Sequence, residues 1–180
     1  MTVGRMAKRP PIEPEAIRDT VLEAGLLPEL MPRHVAVIMD GNGRWAAARG
    51  LPRIAGHRAG TEAVRRLVEA SLELGLPYVT IYAFSTENWK RPPAEVRGLL
   101  FMIQDVIDHQ LDELDANGVR IRHVGWMDRV PRRLAASISR AVERTAVNEQ
   151  LTLAVAFNYG GRQELTRAVR RIVEAGIRPE

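Results

Sequence analysis

The sequence predicts an α/β fold, a parallel β-sheet flanked by helices. Three observations carry that expectation. Short runs rich in β-branched and apolar residues alternate with longer segments of helical periodicity, the pattern of successive strand–helix–strand units. Glycine or proline marks most of the changes between them. The polar, glycine-rich stretches all follow strands, at the edge where open parallel sheets bind ligands. At 180 residues the chain has the length of one domain with a real core. It shows no repeat, low-complexity tract or domain linker. The expected division is a leader and helix over residues 1–31, then one domain over 32–180.

Residues 14–24 read as a first helix. Residues 35–39, Val-Ala-Val-Ile-Met, form a buried strand running into Asp40-Gly-Asn-Gly-Arg44. A helix follows over 61–75: Val64, Leu67, Val68, Ser71 and Leu72 share a face, and Gly75 with Pro77 stops it. Residues 78–84, Tyr-Val-Thr-Ile-Tyr-Ala-Phe, are a second strand rich in β-branched and aromatic side chains. Pro92-Pro93 opens a long helix over 94–117, which Gly118 ends. Residues 119–124 are a third strand, 131–149 a helix and 151–157 a fourth strand. Asn158-Tyr-Gly-Gly161 then turns into a last helix over 162–175.

Composition narrows the function. The hydrophobic fraction of 46% and charged fraction of 27% are those of an ordinary globular protein. With no cysteine there is no disulfide, thiolate metal site or thiol nucleophile, which is compatible with a cytoplasmic location. The basic, proline-containing residues 1–11 lack an apolar run behind them and read as a loose leader instead of a signal peptide. No stretch approaches the ~20 apolar residues of a membrane span, so membrane contact is expected to be peripheral at most. The net charge is +4, and of the 26 lysines and arginines all but Lys8 and Lys90 are arginine. Arginine suits bidentate phosphate binding, although codon bias gives the same surplus. Nucleic acid is not expected. The basic residues are scattered, and Asp105, Asp108, Asp112, Glu113 and Asp115 make one helix acidic.

The first strand-end loop is the most informative. Gly41 and Gly43 let a ligand approach the backbone and present bare N–H groups. A helix beginning just after them would add donors suited to a diphosphate. Gly41-x-Gly43-x-x-Ala46 formally matches the dinucleotide fingerprint. Two features oppose an oxidoreductase: Asp40 would repel a pyrophosphate, and the next strand starts too late for a unit of ~30 residues. A carboxylate beside a phosphate-binding turn is rational when Mg²⁺ lies between them, with substrate phosphates and water as further ligands. The alternative is a merely structural turn. Arg53 and His57, four apart, would share a helix face and clamp phosphate oxygens or donate a proton; a solvated basic face is the alternative there. Ser85, Glu87, Asn88, Trp89 and Arg91 leave the second strand together as a plausible reaction loop, or else Ser85 and Asn88 cap a helix and Trp89 packs in the core. The long helix carries Val96, Leu99, Leu100, Met102, Ile103, Val106, Ile107, Leu111 and Leu114, more apolar surface than one stripe requires. It lines either a core or a cleft for a hydrocarbon tail.

Four blocks then become recognisable: residues 34–45 (His-Val-Ala-Val-Ile-Met-Asp-Gly-Asn-Gly-Arg-Trp), Gly56-His57, residues 82–91 (Tyr-Ala-Phe-Ser-Thr-Glu-Asn-Trp-Lys-Arg) and Asn158-Tyr-Gly-Gly-Arg162. Their order and spacing, from about Pro32 to the last helix, resemble the cis-prenyltransferase family, which includes undecaprenyl diphosphate synthase. The resemblance implies a parallel sheet with an apolar tunnel above it for the growing chain. It implies that Asp40 binds Mg²⁺ and is catalytic. It places Gly41, Asn42, Gly43, Arg44, Arg53 and His57 around an allylic diphosphate, and Trp45 on the substrate. Ser85, Thr86, Glu87, Trp89 and Arg91 become the second substrate loop, with Asn88 helping to remove a proton. The implied reaction condenses isopentenyl diphosphate onto an allylic prenyl diphosphate and forms a cis double bond. A homodimer is implied for the full-length form.

The family also continues through Arg-x-x-Gly-Glu-like and Arg-x-Ser-Asn-Phe-like segments and an acidic region. This sequence ends at Arg178-Pro-Glu180 without them. Because those segments bind isopentenyl diphosphate, add an acidic metal ligand and build the dimer contact, the expectation is of a C-terminally truncated chain. The competing function is a non-catalytic diphosphate-binding chain or partner subunit; such partners tend to lose the aspartate–glycine loop, which is intact here.

Overall fold

The structure, a computed structural model, describes residues 13–177; the leader at 1–11 and the terminal Arg178-Pro-Glu180 lie outside the described residues. Four parallel strands form one sheet: β1 (His34–Ile38), β2 (Tyr78–Ser85), β3 (Val119–Val124) and β4 (Leu151–Tyr159), in the order β1-β2-β4-β3. The helices are α1 (Pro14–Glu23), α2 (Asn42–Ala47), α3 (Arg53–Glu73), α4 (Pro93–Ala116), α5 (Arg132–Arg144) and α6 (Gly161–Glu174). A parallel sheet needs crossover helices, and each strand-to-strand connection here contains one.

Two apolar clusters hold the sheet to its helices. Val79, Ile81, Val119, Leu151 and Leu153 pack with Val68 of α3. Phe84 and Phe157 pack with Val96 and Leu99 of α4 and with Leu134 and Ile138 of α5. Burying such a side chain fully contributes ~1.5–3 kcal/mol, so these clusters dominate the fold. The alternate row of the sheet, with Ala36, Thr80, Ala154 and Arg122 in register, stays half-buried or exposed. No residue of α6 is buried, so the expected final helix forms without packing tightly on the sheet.

The structure corrects three boundaries. The helix expected over 61–75 begins eight residues earlier, at Arg53. Gly56 and Gly60 each cost a helix interior about 1 kcal/mol, but they let α2 and α3 touch. A Cβ at Gly56 would stand 1.9 Å from the Asn42 carbonyl oxygen, and one at Gly60 would stand 2.8 Å from the Asn42 side chain. The helix expected over 131–149 stops at Arg144. There the buried Thr145 hydroxyl donates to the Ala141 carbonyl (2.8 Å) and accepts from the Ile121 N–H (2.9 Å), anchoring the chain to β3. The helix expected after the glycine loop starts inside it, at Asn42.

Three acidic residues of α4 pair with α5. Arg140 donates to Asp108 at 3.0 Å, and Arg144 to Asp112 at 2.6 Å and Asp115 at 2.9 Å. Among the described residues no helix is long and apolar enough to cross a membrane.

Candidate active site

The carboxyl ends of β1 and β2 hold the site. β1 delivers Asp40. Gly41 then takes φ +92° as the residue that opens α2, a conformation that favours glycine. The Asp40 carboxylate accepts from the Gly41 N–H (2.6 Å) and from the Arg44 guanidinium (2.9 Å). Both side chains of this ion pair are largely exposed, 77% for Asp40 and 81% for Arg44. Exposed pairs contribute ~0.2–1 kcal/mol, so Arg44 is easily exchanged for another cation.

β2 delivers the second loop through a register shift between Tyr82 and Phe84. The irregularity re-aims the strand end: Phe84 enters the core, while Ala83 and Ser85 line a cavity. A 3-10 turn follows, Thr86–Lys90. The Ser85 hydroxyl caps it by accepting from the Glu87 N–H (3.0 Å), and the Asn88 side-chain oxygen accepts from the Ser85 N–H (3.0 Å). Capping and site-building thus use the same residues. With one lone pair of its oxygen engaged, Asn88 still has its amide N–H donors to offer a ligand.

An apolar cavity of about 370 Å³ lies between α3, α4 and the sheet. Val64, Val68, Leu99, Met102, Ile103, Val106, Ile107 and Leu111 supply its helical walls, and Ile81, Leu153 and Val155 its floor. The long helix therefore faces both a core and a cleft. Asp40, Asn42, His57, Ser85, Asn88 and Arg91 line the same cavity. Residues up to 51 positions apart are brought to one polar rim.

Behind that rim sits Glu95, in the first turn of α4, which the sequence did not single out. Its carboxylate, 14% exposed, pairs with Arg91 at 3.0 Å and Arg53 at 3.5 Å, and stands 3.9 Å from His57 Nε2. Arg53 in turn lies over Gly43, where a Cβ would meet its guanidinium at 3.1 Å. The only sequence signal for Glu95 is an acid in a helix first turn, which the macrodipole explains equally well. His57 Nε2 is shielded from solvent with no hydrogen-bond partner among the described residues. Burial first, then the Arg91 charge and more weakly that of Arg53, push the His57 pKa below its ordinary value, against the opposing pull of Glu95. The imidazole is therefore neutral near pH 7.

The remaining candidates lie elsewhere. Trp45 is exposed beneath the Arg49 guanidinium, 4.3 Å from the ring centroid. Glu87 is exposed. Trp89 packs edge-on against Phe84 and donates its indole N–H to the Asn158 side chain (2.7 Å), and together with Thr86 it lines a second cavity on the other side of the loop.

The arrangement joins an exposed carboxylate, a glycine turn, guanidiniums and an apolar cavity, groups suited to holding a metal-bound diphosphate with a hydrocarbon tail. No group of three or more acidic or histidine side chains could hold a metal among the described residues. Magnesium is commonly held by one carboxylate with substrate phosphates and water, and Asp40 fits that donor set.

Comparison with known proteins identifies the family. Residues 38–180 match the family described as "Putative undecaprenyl diphosphate synthase". An isoprenyl transferase of Clostridium perfringens is 46% identical over 152 residues, which is 84% of this chain and 60% of that protein. A trans,polycis-polyprenyl diphosphate synthase ((2Z,6E)-farnesyl diphosphate specific) of Thermobifida fusca is 48% identical over 171 residues, 93% of this chain and 61% of that one. Among solved structures, lavandulyl diphosphate synthase from Lavandula x intermedia, in complex with dimethylallyl diphosphate, superposes with a TM-score of 0.77 at 31% identity, covering 83% of this chain and 66% of the other. The chain thus spans about 60% of the length of the curated relatives it matches. It belongs to the undecaprenyl diphosphate synthase family, the cis-prenyltransferases.

Proposed function

We propose that this chain carries the allylic half of a cis-prenyltransferase site, in a protein that condenses isopentenyl diphosphate onto an allylic prenyl diphosphate to form a cis-polyprenyl diphosphate. The observation that carries the reading is one apolar cavity whose polar rim is Asp40, Asn42, His57, Ser85, Asn88 and Arg91. A charged headgroup at that rim leaves its tail among Leu99, Met102, Ile103 and Val106, the role of the tunnel implied by the family resemblance. The substrates in the names of the Thermobifida and Lavandula proteins support the same chemistry.

In this reading the allylic C–O bond breaks, diphosphate leaves, and the isopentenyl double bond supplies the electrons of the new C–C bond. A proton is then lost. Arg44, Arg53 and Arg91 stabilise charge on the departing diphosphate, with Glu95 holding Arg53 and Arg91 in place. Neutral His57 offers one ring nitrogen to a phosphate oxygen. Asn88 orients substrate through its amide N–H groups, an amide being a weak base for proton removal. Gly41 and Gly43 give the diphosphate access to backbone donors. Asp40 would hold Mg²⁺, which when bound neutralises diphosphate charge. Trp45, Thr86, Glu87 and Trp89 remain substrate-contacting candidates through loop movement. The reading also includes a cytoplasmic location and a homodimer of the full-length form.

The test compares this chain with one extended to the length of its relatives. Both should bind farnesyl diphosphate more tightly than inorganic pyrophosphate, because the tail fills the cavity. Incorporation of labelled isopentenyl diphosphate should need the longer chain and Mg²⁺. No tail-dependent affinity in either chain would refute the assignment of the cavity. Tail-dependent binding with no incorporation by the longer chain would mark a diphosphate-binding partner instead.

A further inference from the structure

Four large apolar side chains stand in solvent near the amino-terminal ends of α3 and α4: Trp45 on α2, Leu51 just before α3, Ile54 in its first turn and Phe101 on α4. Phe101 is 74% exposed. The four adjoin one another. The Leu51 N–H donates to the Ala46 carbonyl (2.9 Å), which sets Leu51 beside the helix of Trp45. Ile54 lies over Gly98, where a Cβ would stand 3.6 Å from its Cδ1, and Phe101 is one turn further along that face of α4. A lone exposed apolar residue needs no explanation, but a group marks a surface that meets something.

Arginines interleave with these side chains. The Arg49 guanidinium covers the Trp45 ring at 4.3 Å. Arg58 follows Ile54 by four positions and Arg97 precedes Phe101 by four, so each shares the helix face of its apolar neighbour. All three arginines are exposed, and none forms an ion pair among the described residues. Glu62 and Asp105, one turn beyond Arg58 and Phe101, bound the patch; Glu62 is taken up by Arg65, and Asp105 stands 3.2 Å from His109. Surplus positive charge around an apolar centre decides the occupant. A second copy of this chain would set like charges against each other, and a purely apolar groove would leave the guanidiniums unmatched. An anionic bilayer accepts both kinds of group. Long arginine stems keep the guanidiniums at the lipid phosphates while apolar side chains enter the boundary between headgroups and acyl chains.

We propose that Leu51, Ile54 and Phe101, ringed by Arg49, Arg58 and Arg97, form a docking surface for an anionic lipid bilayer. Contact of this kind lies in the interface and needs no membrane-spanning helix. The surface stands independently of the function proposed above. Arg53, beside Ile54 in the chain, pairs with Glu95 at 3.5 Å behind the rim of the apolar cavity, so a docked chain holds that rim close to the lipid headgroups.

Flotation of this chain with vesicles tests it, using equal parts of phosphatidylglycerol and phosphatidylcholine against phosphatidylcholine alone. The mixed vesicles should bind more chain, and added salt should weaken that binding. Arg49→Gln/Arg58→Gln/Arg97→Gln should lower partitioning onto the mixed vesicles by about tenfold or more and remove the preference for them. Ile54→Ser/Phe101→Ser should lower it by about tenfold while keeping the preference. All five side chains are exposed, so circular dichroism should show an unchanged fold. The indole of a Phe101→Trp variant should add fluorescence that bromine-labelled acyl chains quench, which reports insertion directly. Leu165→Ser/Val169→Ser is the control, because α6 also exposes apolar and cationic side chains. Equal binding to both vesicles, binding lost in the α6 control but kept in the other variants, or an unquenched Phe101→Trp signal would each overturn the proposal. So would self-association of the parent chain that Ile54→Ser/Phe101→Ser abolishes without any vesicle binding, which would mark an interface between copies.

Discussion

Two carboxylates serve the same rim and are held in opposite ways. Asp40 lies at the end of a strand, 77% exposed, with one arginine beside it that is itself in solvent. Glu95 lies in the first turn of a helix, 14% exposed, with Arg91, Arg53 and His57 around it. A carboxylate in water exchanges partners at little cost. One that is largely withdrawn from water depends on its partners, and removing either side leaves charge uncompensated. Asp40 is thus suited to receive a cation and substrate, and Glu95 to keep the basic groups in place while that happens.

The strongest test of this contrast is Asp40→Ala in a chain of the relatives' length. Turnover should fall by several orders of magnitude, since losing a bound cation costs several kcal/mol of transition-state stabilisation, while thermal stability stays near that of the parent. Steady-state incorporation of labelled isopentenyl diphosphate and a melting curve measure the two halves. Native-like turnover by a folded variant would remove the metal role.

Glu95→Gln should reverse the profile. Stability should drop by about 1–3 kcal/mol, discounted from the cost of breaking a fully buried pair because Arg53 remains partly in solvent, and affinity for an allylic diphosphate should fall as Arg53 and Arg91 lose their anchor. Denaturant unfolding together with ligand titration checks this. Unchanged values in both would make Glu95 an ordinary surface acid.

His57 sharpens the comparison through pH. Its folded pKa lies below the unfolded value, so the unfolded chain binds more protons between the two values. Stability is then unaffected above the unfolded pKa of about 6.5 and declines as pH falls through the window down to the folded pKa. His57→Gln should flatten that part of the stability–pH curve while leaving carboxylate-driven acid unfolding in place. Matching curves for parent and variant between pH 7 and 5 would contradict the shift.

The smallest effect belongs to Arg44→Ala. Loss of an exposed pair should change stability by no more than about 0.5 kcal/mol, as read from the unfolding midpoint. A larger loss would mean that the Asp40–Arg44 pair organises the loop, and the contrast with Glu95 would weaken.

Sequence reading reached far into this molecule where the signal is local. The apolar runs that became β1 to β4 sit between glycines, prolines and polar turns, and all four formed within one or two residues of the expected positions. The placement of Asp40, Gly41 and Gly43 at the end of β1 was legible because an apolar run giving way to glycines marks a strand end. The boundaries of α3 and α5 were not, because each depends on a partner remote in the chain. Gly56 belongs in a helix only because Asn42 crosses it, and Thr145 ends one because Ile121 needs an acceptor.

What the sequence by itself determined was the fold class, the order of its elements and the family, since periodicity, turn chemistry and motif spacing are properties of neighbouring residues. Only the tertiary structure decided that Glu95 gathers Arg53, His57 and Arg91, that the Asn88 oxygen accepts from the Ser85 N–H, and that Trp89 lines a second cavity while Asn88 lines the first. Those outcomes depend on distances of a few ångströms between elements whose separation in the chain carries no information about their separation in space. Packing fixes such distances once the sheet has closed against α3 and α4, because a dense core leaves each buried or half-buried side chain few places to go.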